Sequence, residues 1–507
     1  MSKPSCSLLK FLFVFWLFSN TLFYPQTFAK KQTIFTGPEP YGIKAADVNK
    51  DGNQDLIWFS GGHNVEIHLG DGNGRFAATG PVYDTLLGGA SEFEVADMNG
   101  DGHPDIVVAG EHGIAVLRGN GDGTFQTPIL FNIVSSSDPN DPAGTVDSLA
   151  LGDFNKDGKL DALISIDSSI QIAFGKGDAT FQSPAKVFPN GLAGFHFQFP
   201  GQLSNNAEAG DFDGDGNLDV AFYTCCDPAV SSGDLLFGGT LWAWYGDGKG
   251  NFPAKMAVQT DVPQVRIKVF DINRDGKADI LNARQSCHDT CTYGVQTWLG
   301  HNTRTFTFYG AGVPNDIGAT LQTGVAFGDF DHDGILDLVT GTGFLIPAGF
   351  LIFRRLPNNT IAGPILRSVQ TNEPISDTEI DSADFNHDGK PDLALTYAPD
   401  NRVVVMVNTT TPPGTCSDGP LYSLHLCSPG SGLTFVSPVQ VSARANSDRT
   451  ITSWKVYVDG VAKASGTGAN IEIPLTLGSF NFQRRITAKA WDASGASFST
   501  SVLITVK

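Results

Sequence analysis

One nine-residue pattern, D-x-[DN]-x-D-G-x-x-D, occurs seven times in this 507-residue chain. The first loop offers Asp47, Asn49, Asp51, Asn53 and Asp55 at its odd positions, and the second Asp97, Asn99, Asp101, His103 and Asp105. The third offers Asp153, Asn155, Asp157, Lys159 and Asp161, and the fourth Asp211, Asp213, Asp215, Asn217 and Asp219. The fifth offers Asp271, Asn273, Asp275, Lys277 and Asp279, and the sixth Asp329, Asp331, Asp333, Ile335 and Asp337. The seventh offers Asp384, Asn386, Asp388, Lys390 and Asp392. Hard oxygen donors from positions 1, 3, 5 and 9, with the backbone carbonyl of position 7, suit Ca²⁺. Gly at position 6 permits the sharp turn. Magnesium, which holds its water and demands near-ideal octahedral geometry, fits less well. A helix-flanked calcium loop needs Glu at position 12, but here that position is never acidic and strands flank each loop. Metal-free Asx-type turns are the alternative. They would leave three or four acids crowded in one turn, raising each other's pKa. The reading is therefore about seven bound Ca²⁺.

These loops need a repeated scaffold. Their starts lie 50 to 60 residues apart, the sign of a repeat architecture. Position 2 is bulky and apolar, as at Val48, Met98, Phe154 and Phe385. After each loop comes a short apolar run such as Ile106–Ala109, then a second such as Ile114–Leu117. A glycine-rich turn ending in Phe follows, as in Gly70–Phe76 and Gly119–Phe125, and leads into a further strand. Four strands per unit make a propeller blade, so the expected fold is all-β: a seven-bladed β-propeller followed by a β-sandwich. The last unit lacks its outer strand, and Gln32–Phe35 is expected to supply it and close the ring.

The acidic loops and Phe-led turns resemble FG-GAP/VCBS repeats, the propeller units of integrin α-subunit heads and of many exported bacterial proteins. The resemblance covers roughly residues 32–408. It implies that the loops bind Ca²⁺ on one face and rigidify the blades, and it names no ligand.

The N-terminus reads as a secretory signal. Lys3 and Lys10 precede the apolar run Phe11–Phe18, and Thr27-Phe28-Ala29 sets cleavage after Ala29. The run is too short to span a membrane, where about 20 residues are needed. The expected organisation is a signal at 1–29, the propeller at 30–408, a linker at 409–430 and a sandwich at 431–507. The sandwich resembles bacterial immunoglobulin-like modules. In an exported chain Cys416 and Cys427 are expected to pair; Cys225, Cys226, Cys287 and Cys291 form disulfides in open pairing, with zinc disfavoured by the adjacent cysteines.

The chain carries 53 acids against 33 Lys and Arg, a net charge of −20, which excludes a nucleic-acid partner that would need basic patches. Three aspartates in each of seven loops, with Asp213 and Asp331, account for 23 of those acids. Strand parity puts the acidic loops and Phe-led turns on one face and the irregular loops on the other. Long segments at 186–206, 223–238 and 285–294 belong to that second face. Phe195, His196, Phe197, His288 and Asp289 are the candidate ligand-binding residues, for a glycan or a surface protein. No nucleophile elbow, zinc-protease motif or phosphate loop is present. The functional expectation is a secreted or cell-surface recognition module, not an enzyme. The alternative is a polysaccharide lyase on the same scaffold.

Overall fold

The computed structural model describes residues 28–506 except 134–145, 167–168, 183–185, 188–206, 225–238, 263–264, 288–290, 313–323, 332–333, 342–348, 356–360, 369–378, 411–419, 429–433, 436–438, 476 and 478–481. The signal segment and the candidate residues Phe195, His196, Phe197, His288 and Asp289 lie outside the described residues, as do Cys225, Cys226 and Cys416. The chain divides into two compact units, one built chiefly from residues 28–330 and 334–408 and the other from 409–507.

Among the described residues, the first unit forms seven four-stranded antiparallel sheets. Six are continuous in sequence. The first sheet, for example, runs Tyr41–Ala46, Asp55–Ser60, Asn64–His68 and Val82–Asp84. Second strands such as Asp105–Gly110 are buried along their whole length, which explains their unbroken apolar sequence: both faces are covered by neighbouring sheets. Each sheet's first strand lies beside the next sheet's first strand, with Phe270 against Phe327 joining the fifth and sixth. The seventh sheet's first strand returns to the first sheet's.

Sequence separation is longest at this closure. The outer strand of the seventh sheet is Phe28–Phe35, paired antiparallel with Arg402–Asn408. Gln32 faces Val405 and Phe35 faces Arg402. The strand extends four residues N-terminal to the expected Gln32. Phe28 and Ala29, which cleavage after Ala29 would remove, face Asn408 and Val407. The Phe28 ring packs edge-on against Phe350 at 5.3 Å and beside Phe330 at 5.9 Å.

The second unit has a three-stranded sheet and a five-stranded sheet, and both contribute to one core. Val441 and Ile471 come from the smaller sheet; Trp454, Val456, Ile486 and Ile504 come from the larger. Asp459 and Gly460, at φ 50° and 83°, form the two-residue turn between Ile451–Val458 and Val461–Gly466. A strand at Ser423–Ser428 falls within the stretch expected as linker and pairs with Val439–Asn446.

Deleting residues 30–38 removes most of the closing strand. The melting temperature is expected to fall by several degrees in differential scanning calorimetry; an unchanged value contradicts closure by this strand.

Candidate metal centres and the axial channel

All seven acidic loops join first strand to second in one register. The residue before position 1 faces position 9 across the strand pair: Ala46 faces Asp55, Ala96 faces Asp105, Gly328 faces Asp337 and Ala383 faces Asp392. Two left-handed residues turn the loop. Gly at position 6 has φ near +80 to +90°, and position 4 is also left-handed, at Lys50 (60°), Lys156 (58°) and Arg274 (59°). Side chains occupying that region are uncommon.

Position 9 is the anchor. Its Asp is buried in every loop, at 0–1 % exposure. Asp55 Oδ2 accepts the Val48 N–H (2.9 Å) and its Oδ1 accepts the Gly70 N–H (2.8 Å). Asp105, Asp161, Asp219 and Asp279 repeat both bonds with position 2 of the loop and the first Gly of the following hairpin. In the seventh sheet Asn408 takes the glycine's place, donating to Asp392 at 2.6 Å. One carboxylate thus ties the acidic loop to the turn between strands three and four, and both turns share one face. Burial, with the nearby acids of the same loop, pushes Asp55 and Asp161 up to about 6 and Asp219, Asp279 and Asp392 up to about 7.

Shorter bonds shape the rest of the loop. In all seven copies the position-6 Gly N–H donates to Oδ2 of position 1, at 2.7–2.9 Å. In six copies Oδ1 of position 3 accepts the position-5 N–H, and Oδ1 of position 5 accepts the position-7 N–H. In the sixth loop Asp333, which would take part in both bonds, lies outside the described residues. These bonds fold each loop back on its own side chains. Asp101, with a backbone bond from His103 as the chief cause, is held below the usual carboxylate range, as is Asp51 by Asn53.

The donor set fits Ca²⁺. Every side-chain donor at positions 1, 3, 5 and 9 is an oxygen. Asp47 Oδ1 is shielded from solvent with no hydrogen-bond partner, a costly state that a cation would relieve. Ligand oxygens of Asp211, Asp213 and Asp215 lie within 4.8 Å of one another. The anchoring carboxylates keep a second lone pair on each oxygen.

The loops also join sheet to sheet. The position-2 carbonyl accepts from the following sheet's hairpin: Gly74 N–H to Phe385 O (2.7 Å), Ala179 to Met98 and Gly250 to Phe154. The position-2 side chain packs against the hairpin Phe of that same neighbour, as in Phe385 with Phe76 (5.2 Å) and Phe212 with Phe306 (5.5 Å). This explains the bulky apolar residue at position 2. Position 4 reaches the next loop: Arg274 donates to Gly334 O, and His387 Nε2 lies 2.8 Å from Asn53 Oδ1, joining the last loop to the first.

A second constellation escaped sequence reasoning. The residue three before each loop is Lys44, Glu94, Ala150, Glu208, Lys268, Ala326 or Asp381, charged in five of seven. All lie on first strands. Lys44 pairs with Glu94, and Lys268 with Glu208 (2.6 Å) and Glu92 (3.7 Å). Asp381 Oδ2 accepts the Ala45 N–H, and its burial raises its pKa. A cavity of about 450 Å³ lies among these strands, lined by Lys44, Glu92, Lys268, Glu379 and Asp381. The recurrent offset from the acidic loop was the available signal. On the opposite end, the described backbone places Cys287 opposite Cys291 across the fifth sheet's second and third strands.

The raised anchors set a pH dependence for the ion-free chain. Their folded pKa values of about 6–7 exceed the ordinary aspartate value of 3.8, so the folded state binds more protons between those limits. In EDTA, stability is expected to fall as pH rises from about 4 to about 7. Saturating Ca²⁺, which favours the charged form, is expected to flatten that fall. A calorimetric series at pH 4.5, 6 and 7.5 checks both; a rise across this window in EDTA contradicts the burial reading.

Comparison with known proteins agrees with the repeat. An FG-GAP-like repeat family model matches residues 47–108, 97–164 and 153–222. No curated protein sequence matches the chain. Among solved structures, a lectin from Agrocybe aegerita, studied for specific recognition of non-reducing terminal N-acetylglucosamine, is similar at 18 % identity and TM-score 0.46, over 74 % of this chain and 87 % of that one. BBS1N, solved in complex with ARL6DN, aligns at 10 % identity and TM-score 0.47, over 76 % and 98 %. The extracellular domain of BT4673 from B. thetaiotaomicron aligns at 8 % identity and TM-score 0.43, over 95 % and 60 %. The chain thus carries three FG-GAP-like repeats within residues 47–222, and its successive four-stranded sheets have the β-propeller fold.

Proposed function

We propose that this chain is an exported, calcium-stabilised recognition module: a seven-bladed propeller that binds a glycan or a surface protein. The observation that carries the reading is the sheet-to-sheet clamp. Acidic loops and hairpins on one face are bonded within and between sheets, and the last loop is bonded to the first. A rigid frame of this kind leaves the segments on the opposite face free to vary in length and sequence, and binding residues commonly sit on such loops. Residues 186–206, 223–238 and 285–294 are the segments proposed to hold the ligand, through Phe195, His196, Phe197, His288 and Asp289.

Calcium would serve the frame, not the ligand. Extracellular modules bind at ~10⁻⁴–10⁻³ M. With free Ca²⁺ at about ten times Kd, each site adds about 1.4 kcal/mol by linkage. Seven such sites reach on the order of 10 kcal/mol, the whole stability of a typical domain. They would also reduce the net charge from −20 to about −6, an ordinary value for a soluble protein.

Two measurements test the reading. The melting temperature is expected to drop sharply in EDTA and to recover on adding CaCl₂; an unchanged curve overturns the calcium assignment. A glycan array and a surface-protein binding screen, each run with Ca²⁺ and with EDTA, are expected to show a ligand retained only with Ca²⁺. Phe195→Ala, His196→Ala and Phe197→Ala together should abolish that binding in a chain that still melts cooperatively. Appearance of unsaturated products in a lyase absorbance assay would instead establish an enzyme.

A further inference from the structure

We infer that Arg304 is a built-in counter-ion of the fourth acidic loop, one that an incoming Ca²⁺ must displace. This rests on the calcium reading above and adds to it a site that differs from the other six.

The turn that carries Arg304 breaks the pattern of its equivalents. Four residues after the first glycine, the hairpins of the first, second and fourth sheets have Gly74, Gly123 and Gly250, at φ +73°, +82° and +71°. The third has Ala179 at +65°. The fifth has Arg304 at +57°, a large side chain in a conformation that favours glycine. Residues held in sparsely populated backbone regions persist where the surroundings enforce them.

The direction of the side chain follows from the repeat. A Cβ on Gly74 would meet Asn386 and Val407 of the seventh sheet, one on Gly123 would meet Leu69 of the first, and one on Gly250 would meet Phe174 of the third. Each hairpin therefore aims this position at the preceding sheet. In the fifth hairpin the preceding sheet is the fourth, and its acidic loop is one of two with Asp in place of Asn at position 3. Arg304 Nε donates to Asp213 Oδ2 at 2.7 Å, and Nη2 lies 3.5 Å from Asp215 Oδ2. The guanidinium sits 5.0 Å from the centre of the Tyr245 ring. Asp213 itself is buried, at 6 % exposure.

Among the described residues, Asp211, Asp213 and Asp215 form the one group of three acids whose oxygens converge within 4.8 Å. Such a group repels itself unless a cation sits beside it. Arg304 supplies that cation from the protein. It also holds Asp213 Oδ2, an oxygen that an ion would use, and its charge repels a dication at close range. Ca²⁺ entry at the fourth loop thus exchanges one cation for another and frees the turn at 301–305 from the fourth sheet. The site is weaker than the extra carboxylate alone would make it.

Calorimetric titration of the full chain with CaCl₂, after removal of bound ions by EDTA, tests this. In Arg304→Gly, which restores the usual residue of the turn, one site is expected to tighten about 1.5- to 5-fold, the range given by loss of a partly exposed ion pair. Arg304→Gln, which keeps the left-handed side chain, is expected to show the same gain, and adding Asp213→Asn to Arg304→Gly is expected to cancel it. A wild-type chain that binds Ca²⁺ with an isotherm superimposable on both Arg304 variants overturns the exchange alone. A gain in Arg304→Gly without one in Arg304→Gln assigns the effect to backbone relief and also overturns it. A wild-type chain that binds no Ca²⁺ overturns the calcium reading and the exchange together.

Discussion

A single buried carboxylate per repeat holds this structure in register. The Asp at position 9 opens the second strand of every sheet and is almost wholly withdrawn from solvent. A carboxylate in such a place is tolerable only if its oxygens are bonded. In five of the sheets those bonds come from two separate turns: the loop that the Asp itself closes and the hairpin two strands later. Slipping the pairing by one residue would turn the carboxylate away from both donors and reverse the faces of the strand. The register is therefore the same in all seven sheets, although the sequences between loops differ in length and composition.

From that anchor the contacts spread sideways. Position 2 of the loop uses its backbone N–H for the anchor, its carbonyl for the neighbour's hairpin and its side chain for the neighbour's Phe. One residue thus holds its own anchor and links two sheets in two ways. The contacts between the seventh and first sheets are of the same kinds as those between sequence neighbours: Gly74 bonds Phe385, Phe76 packs on Phe385, and His387 meets Asn53. Closure needs one departure from the repeat, the antiparallel outer strand Phe28–Phe35. With Asn408 taking over the role of the hairpin glycine, the seventh sheet keeps its anchor without a covalent turn.

Charge follows position in the repeat. Loop acids gather on one face. On the innermost strands, three to five residues before the loops, acids and lysines pair from sheet to sheet. Paired charges in a confined space are less costly than isolated ones, although they add little net stability. Their effect is to keep the axial cavity polar. In the fourth loop the aspartate at position 3 meets an arginine from the next sheet, so the protein itself supplies part of the compensating charge.

The sequence by itself determined the repeat, the four strands per unit, the acidic loops and the shared face of loop and hairpin. These depend on local spacing: a turn needs its glycines, an ion its oxygens, and a fully covered strand its apolar run. The closing strand was also legible, because one unit lacked a strand and the N-terminus had one to spare, although its start at Phe28 was set by packing on Phe330 and Phe350. Only the tertiary structure decided which distant residues would meet. Arg304 lies 91 residues from Asp213, and Lys268 lies 60 from Glu208, so nothing in the spacing within either segment marks them as partners. Their meeting depends on how one sheet packs on the next. The position-9 carboxylates are a further case: the sequence marked them as ligands, and only the folded chain made them the bonds that hold loop, hairpin and strand together.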